Sequence, residues 1–318
     1  MTRRELLFGL LAGAAGGAAV GAQPQTRPAI RPARLNHIAF FASDVKSTVE
    51  WYQRFFGMPV QFRPDGAILR LGEGPEFIAI YPAGNAKPGF KHMGFGVRGF
   101  SRGLIDQALA AHVVKGEWST RRAPEGDVEE MVIRDPDGIA IQIQDVRYSG
   151  GGGPLGDTWA RSWTPAPAPV KPVIASRSIN HITFGSASKE RVERFYRDVF
   201  GLPMISWDYR PQEPAKLFAL SPASPREFVA PGQGSLGVSH YCLGVPGFDR
   251  AKLVQVLTDH GVKTPPPADR PGCCGSKVVY EASETLFGLR DPDGFSVQLA
   301  DLEFCAGIGP LGTACIPG

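Results

Sequence analysis

Along this chain, short stretches in which hydrophobic and polar positions alternate are separated by segments of helical period. From Phe90 to Val97 one face carries Met93, Phe95 and Val97, while the other carries His92, Gly94 and Gly96. Tyr241, Leu243 and Val245 likewise oppose His240, Cys242 and Gly244. Ile182 and Phe184 oppose His181, Thr183 and Gly185, and Ile38 and Phe40 oppose His37 and Ala39. The bulky face is expected to pack under a helix, and the face of histidines and small residues to line a cavity. Helical spacing follows these strands: Val45 to Phe56 carries Val49, Tyr52 and Phe56, a later stretch carries Val192, Phe195, Tyr196 and Val199, and Phe100 to His112 repeats the pattern. After Asp135-Pro136-Asp137-Gly138, Ile139, Ile141 and Ile143 oppose Ala140, Gln142 and Gln144; after Asp291-Pro292-Asp293-Gly294, Phe295, Val297 and Leu299 oppose Ser296, Gln298 and Ala300. The predicted unit is strand, helix and three strands, occurring four times.

The chain is also written twice. Leu35-Asn36-His37-Ile38 returns as Ile179-Asn180-His181-Ile182, and Phe56-Gly57-Met58-Pro59 as Phe200-Gly201-Leu202-Pro203, both 144 positions on. Lys91-His92-Met93-Gly94 returns as Ser239-His240-Tyr241-Cys242 after 148 positions. The Arg-Asp-Pro-Asp-Gly run at 134 returns at 290, and Gly153-Pro154-Leu155-Gly156 at Gly309-Pro310-Leu311-Gly312, both after 156. Two domains are therefore expected, at 35–146 and 179–302, joined by a Pro/Gly-rich linker at 149–178 and followed by a Cys/Gly-rich tail at 303–318.

Composition changes this picture at the ends. Met1-Thr2-Arg3-Arg4-Glu5-Leu6-Leu7, an Ala/Gly/Leu stretch and Gly21-Ala22-Gln23 read as a signal peptide over 1–22, cut after Ala22. Its T-R-R-x-L-L start resembles the twin-arginine signal, which implies export of a folded protein to a periplasmic or extracellular place. A retained anchor and a general secretory signal are the alternatives. A net charge of +3, without a Lys/Arg run, excludes nucleic acid as a natural partner, and no membrane contact is expected after cleavage. All five cysteines, Cys242, Cys273, Cys274, Cys305 and Cys315, lie in the last quarter; export permits a disulfide, and spacing does not assign one.

The N-H-I strands, the F-Y-x-x-x-F-G-x-P helix ends and the D-P-D-G-x-x-x-Q strands resemble the vicinal-oxygen-chelate superfamily, which includes glyoxalase I, bleomycin-resistance proteins and extradiol dioxygenases. The resemblance covers about residues 35 to 146 and 179 to 301. It implies an α+β fold in which paired βαβββ modules curl into a sheet around a cleft. It places metal ligands at His37, His92 and Gln142 in the first copy and at His181, His240 and Gln298 in the second. Metal-dependent members usually carry Glu where the two glutamines stand, so a divalent ion (Fe, Mn, Zn or Ni) would meet a donor set one negative charge poorer. Glu76 and Glu227, at matching places, are further candidate ligands, against the alternative of solvated strand-end carboxylates. Cys242 is either a soft ligand or a small buried thiol, and the cysteine-bearing loop beside the second cleft favours that cleft as the active one. Ring-cleaving members usually have a Tyr ten residues before the third ligand; Val132 and Gly288 stand there. His112 and His260 read as helix-end residues, and Trp207, Tyr209 and Phe287 as either pocket or core aromatics. The reading that results is an exported metal-dependent enzyme acting on a small oxygenated or aromatic compound through two neighbouring oxygens. Its alternative is a metal-free small-molecule binding or sequestering protein.

Overall fold

The computed structural model describes residues 29–63, 65–159, 167–168, 171–207, 215–221, 224–233, 236–262, 279–283, 286–306, 311 and 313. The expected signal peptide and Tyr209, Cys273, Cys274 and Cys315 lie outside the described residues. The fold is α+β, built from four strand-helix-strand-strand-strand modules. The first comprises β1 (Pro32–Ala42), α1 (Val45–Phe56), β2 (Val60–Arg63), β3 (Gly66–Arg70) and β4 (Phe77–Pro82), and the second β5 (Gly89–Val97), α2 (Arg102–Ala111), β6 (Gly116–Arg121), β7 (Val128–Arg134) and β8 (Ala140–Asp145). The third holds β9 (Ser178–Ser186), α3 (Lys189–Phe200), β10 (Met204–Trp207), β11 (Ala215–Ser221) and β12 (Ser224–Gln233). The fourth holds β13 (Gly237–Val245), α4 (Arg250–Asp259), β14 (Val279–Ser283), β15 (Leu286–Arg290) and β16 (Ser296–Asp301).

Each pair of modules forms one eight-stranded sheet, ordered β2-β3-β4-β1-β5-β8-β7-β6 and β10-β11-β12-β9-β13-β16-β15-β14. The opening strands of the two modules, β1 with β5 and β9 with β13, meet antiparallel at the centre of each sheet. That arrangement brings the histidine faces of both modules together. Among the described residues, no helix is long and apolar enough to cross a membrane.

The recurrent F-G-x-P sequence is explained by how the helices stop. In α1, Asp44 caps the start by accepting from Lys46 N at 2.9 Å, and Gly57 closes the end in the left-handed region at φ 59. Gly201 ends α3 in the same way at φ 63. Tyr52, Phe55 and Phe56 of α1 are buried, each worth about 2 kcal/mol of transfer free energy.

The bulky faces of the two sheets and their first helices share one core, in which Phe95 meets Phe200 and Phe40 meets Phe295. The Asp-Pro-Asp-Gly turns pin this seam from both sides. Their first aspartate shapes the turn: Asp135 accepts from Asp137 N and Ile139 N, and Asp291 from Asp293 N and Phe295 N. The second aspartate crosses to the other domain. Asp137 accepts from Ser186 Oγ at 2.6 Å, Ala187 N at 3.0 Å and Arg191 at 2.7 Å, while Asp293 accepts from Ser43 N and Oγ. The two clefts are thereby fixed on opposite sides of one core.

Residues from Ser149 to Trp159, expected as linker, instead belong to the first domain. Tyr148 to Gly153 are buried, and this strap lies across the concave face. Its main chain is satisfied locally and by the sheet: Gly151 N donates to Gly156 O at 2.9 Å, Gly153 N to Gly126 O at 2.9 Å, and Arg121 to Gly151 O. A Cβ on Gly150 would stand 2.5 Å from Ile68 Cδ1, which explains the glycines as close-approach residues rather than as flexible spacers. Phe304, Cys305 and Ala306 occupy the equivalent place in the second domain and are buried against Phe228 and Cys242. Cys305 is disulfide-bonded, whereas its counterpart Ser149 holds the first strap by accepting from Trp159 Nε1 at 3.0 Å.

Candidate metal centres

In the first domain, β1 delivers His37, β5 delivers His92 and β8 delivers Gln142, all buried on the concave face. The register sets Gly94 across from both His37 and Gln142. That glycine makes room: a Cβ there would lie 2.0 Å from His37 Cε1 and 2.7 Å from Nε2. The other face of the His37 ring stacks on Phe77, with centroids 4.4 Å apart and planes 6° from parallel. Held in this slot, His37 Nε2 lies 3.1 Å from His92 Nε2 and 3.3 Å from Gln142 Oε1.

The proton on His37 can be located from its partners. Asn36 Nδ2 donates to the Tyr148 carbonyl at 2.7 Å, so Asn36 Oδ1 faces His37 Nδ1 at 2.8 Å. An amide oxygen only accepts, hence Nδ1 carries the hydrogen and Nε2 of the neutral ring carries a lone pair. That lone pair points at another acceptor, Gln142 Oε1. His92 Nε2, nearer at 3.1 Å, satisfies that lone pair when it carries the hydrogen, and a shared cation takes the place of that hydrogen when both rings present lone pairs. Donors about 2.1 Å from one ion and at right angles to each other lie about 3 Å apart, close to the two separations observed. The residues present therefore fit a divalent ion.

The second domain repeats the plan with one intrusion. His181 stacks on Phe228 at 4.6 Å, and Asn180 orients it by accepting from Nδ1 at 2.7 Å while donating to Phe304 O at 2.8 Å. His240 is oriented too. Ser239 Oγ donates to Thr183 O at 3.1 Å and so accepts from His240 Nδ1 at 3.0 Å. Burial keeps both rings uncharged: His240 is pushed down to about 4, and His181 falls well below the ordinary imidazole range through burial and then through His240. Gln298 Oε1, at the third ligand place, is buried without a hydrogen bond of good geometry and lies near enough to His181 to oppose the lowering of that ring slightly. The intrusion is Cys242, which stands where the first domain has Gly94, across from His181 and Gln298. The two histidine rings are 5.5 Å apart here, against 5.2 Å in the first cleft. Burial pushes the Cys242 thiol far up, and among the described residues no group of three or more His, Cys, Asp or Glu gathers around a point, so Cys242 is a small buried thiol here.

Glu76 and Glu227 join neither histidine pair. Phe77 and Phe228 face the histidines, so the residues before them turn away, into the seam between the domains. Glu76 pairs with Arg34 at 2.8 Å, and Glu227 accepts from Leu35 N at 2.6 Å across that seam. Burial raises the Glu227 carboxyl to about 7; the Leu35 N–H opposes this, the charge of Glu76 adds to it and Arg34 opposes it. His112 and His260 end α2 and α4, as their sequence context suggests. Phe287 is buried in the shared core. Two features of the site were not foreseen: the asparagines that orient the first histidines and the straps that cover them. The asparagines were visible in the repeated N-H-I motif and the first strap in its G-P-L-G run, without an assigned role.

Residues 34–143 match the Glyoxalase/Bleomycin resistance protein/Dioxygenase superfamily. No curated protein matches the chain in sequence. Among solved structures, a variant of homoprotocatechuate 2,3-dioxygenase from Brevibacterium fuscum superposes with a TM-score of 0.61 at 13% identity, covering 86% of this chain and 72% of its own. The Mn(II)-bound glyoxalase from Novosphingobium aromaticivorans gives 0.61 at 15% identity, covering 86% and 83%. BphC, a halotolerant catechol dioxygenase, gives 0.59 at 17% identity, covering 86% and 87%. At these identities the likeness is one of fold, and it spans both domains.

Proposed function

We propose that both domains, and not residues 34–143 alone, are of this superfamily, and that the chain is an exported metal-dependent enzyme acting on a small oxygenated or aromatic compound. The observation that carries the proposal is the convergence of His37 Nε2, His92 Nε2 and Gln142 Oε1 at 3.1 and 3.3 Å, with the His37 lone pair directed at an amide oxygen. His37, His92 and Gln142 would hold the ion in the first cleft, and His181, His240 and Gln298 in the second. Bound there, the ion supplies Lewis acidity and a template for two neighbouring oxygens.

The chain's own residues narrow the substrate. Two neutral histidines and an amide leave the charge of the ion uncompensated, which favours an anionic oxygen pair such as an enediolate or catecholate over a neutral one. The strap from Tyr148 to Gly153 excludes water from the first cleft and lays the Tyr148 ring 5.6 Å from His37. Substrate entry therefore requires the strap to shift. Export rests on the twin-arginine-like start of the chain.

The strap also favours a second reading. A concave face filled by the chain itself suits a metal-free protein that sequesters a small molecule when the strap gives way. Elemental analysis of protein purified from its native compartment separates the two. At least one transition-metal ion per chain is expected; less than about 0.2 per chain, with no gain on reconstitution, refutes the metal enzyme and leaves the binder.

A further inference from the structure

We propose that Asn36 and Asn180 are positioning residues that set the proton on the first histidine of each cleft, and that they take their own orientation from the strap covering it. The proposal rests on reading the clefts as metal centres. Its physical basis lies in which groups accept and which donate. The main-chain carbonyls of Tyr148 and Phe304 accept only, so each binds the NH2 end of an asparagine, at 2.7 and 2.8 Å. The oxygen end is thereby forced toward the histidine, at 2.8 Å from His37 Nδ1 and 2.7 Å from His181 Nδ1. An oxygen there admits only the Nδ1–H tautomer, which turns an Nε2 lone pair toward the other two ligand places.

The relay is built twice on strap residues of different type, Tyr148 and Phe304, because it uses their main chain and not their side chains. Asn36 and Asn180 are fully buried, at 0% and 1% exposure, so no water competes for either end of the amide. Without Asn36, the His37 ring gains access to its other tautomer, in which Nε2 donates to Gln142 Oε1 and is lost as a ligand. The strap thus affects the centre from 112 residues away in sequence, through one amide.

The test uses the full chain, Co(II) as the probe metal, and nitrogen–proton correlation spectra of the histidines in metal-free protein. In the unmodified protein His37 and His181 are expected to show a protonated Nδ1 and an unprotonated Nε2. Asn36→Leu is expected to redistribute the His37 tautomer and to weaken Co(II) in the first cleft about 10–100-fold, while His181 and the second cleft stay unchanged and report an intact fold. In Asn36→Asp the buried acid stays protonated, its O–H donating to the Tyr148 carbonyl while its other oxygen accepts the same Nδ1–H, so the tautomer and the affinity are expected to return to within a few-fold. An unchanged His37 tautomer in Asn36→Leu overturns the proposal. If the unmodified protein binds no Co(II), the metal reading fails, and the spectra alone still decide the role of the asparagine.

Discussion

Replacing Gly94 by Ala puts a single methyl group into the tightest contact of the first cleft. The added carbon would lie 2.0 Å from His37 Cε1 and 2.1 Å from Nδ1, where carbon atoms normally stay about 3.5 Å apart or more. The ring must retreat by about 1.5 Å, and Phe77, stacked at 4.4 Å on its other side, blocks the direct path. A retreat of that size exceeds several-fold the roughly 0.2 Å tolerance of a ligand bond and also separates Nδ1 from Asn36. Overpacking of this kind costs about 1–3 kcal/mol of stability. Gly94→Ala should therefore weaken Co(II) in the first cleft about tenfold or more, toward the affinity of the second, where Cys242 already carries a Cβ at the matching place and His181 still stacks on Phe228 at 4.6 Å. Gly103→Ala is the matched control, since a Cβ in that turn of α2 meets nothing within 4 Å, and a change of less than about 1 kcal/mol toward greater stability is expected. Metal content by elemental analysis, Co(II) titration and chemical denaturation read the three quantities separately. Unaltered metal binding in a folded Gly94→Ala protein would refute the placement of His37 as a ligand held in a glycine-lined slot.

Two further outcomes follow from single residues. Gln142→Glu adds a negative charge to the donor set and should tighten divalent ions in the first cleft by about tenfold or more in a chelator competition; unchanged or weaker binding would show that Gln142 does not face the ion. Glu227→Gln tests the seam. A carboxyl raised from 4.5 to about 7 is protonated in the fold where the unfolded chain has released its proton, so its contribution is fully present below pH 4.5 and is lost as pH rises through 7. The shift corresponds to at most about 3 kcal/mol, and a glutamine still accepts from Leu35 N. Denaturation at pH 4 and pH 8 should show a variant equal to the parent at the lower pH and about 3 kcal/mol more stable at the higher; a difference independent of pH contradicts the burial of that charge.

How much of this was legible in the sequence depends on the range over which each residue acts. The strand faces were, because alternation is local: His92 opposite Met93 requires only the neighbouring positions. The four modules and the helix ends were legible for the same reason, with Gly57 and Gly201 needed where the chain turns left-handed. The role of the second aspartate in each Asp-Pro-Asp-Gly turn was not, since Asp137 acts on Ser186 and Asp293 on Ser43, across an interface that no local pattern encodes. Composition misled where buried and exposed main chain call for the same residues. Glycines from 150 to 153 suit a solvated linker, yet here they allow the main chain to lie on Ile68 and Phe77 while its polar groups find partners. For Glu76 and Glu227 the alternation that sets Glu76 on the face of Ile78 and Ile80 is the better guide than their matching positions, since both carboxylates turn to the seam.

The duplication itself carries the remaining argument. Two copies of one design, folded in one chain, separate what the cleft requires from what it tolerates. Asparagine, both histidines, glutamine and the phenylalanine under the ring stand in both copies with nearly the same geometry, although the strap side chains beside them differ. The copies diverge at Gly94 against Cys242 and at Ser149 against Cys305. The first change sets a thiol-bearing residue across from His181 where the first cleft has a glycine, and the second replaces a hydrogen-bonded strap by a disulfide-bonded one. These two differences are where the affinities of the two clefts are expected to part. The first cleft, where three donors already converge, is the one we propose as the active centre; the cysteine-bearing loop that favoured the second lies outside the described residues.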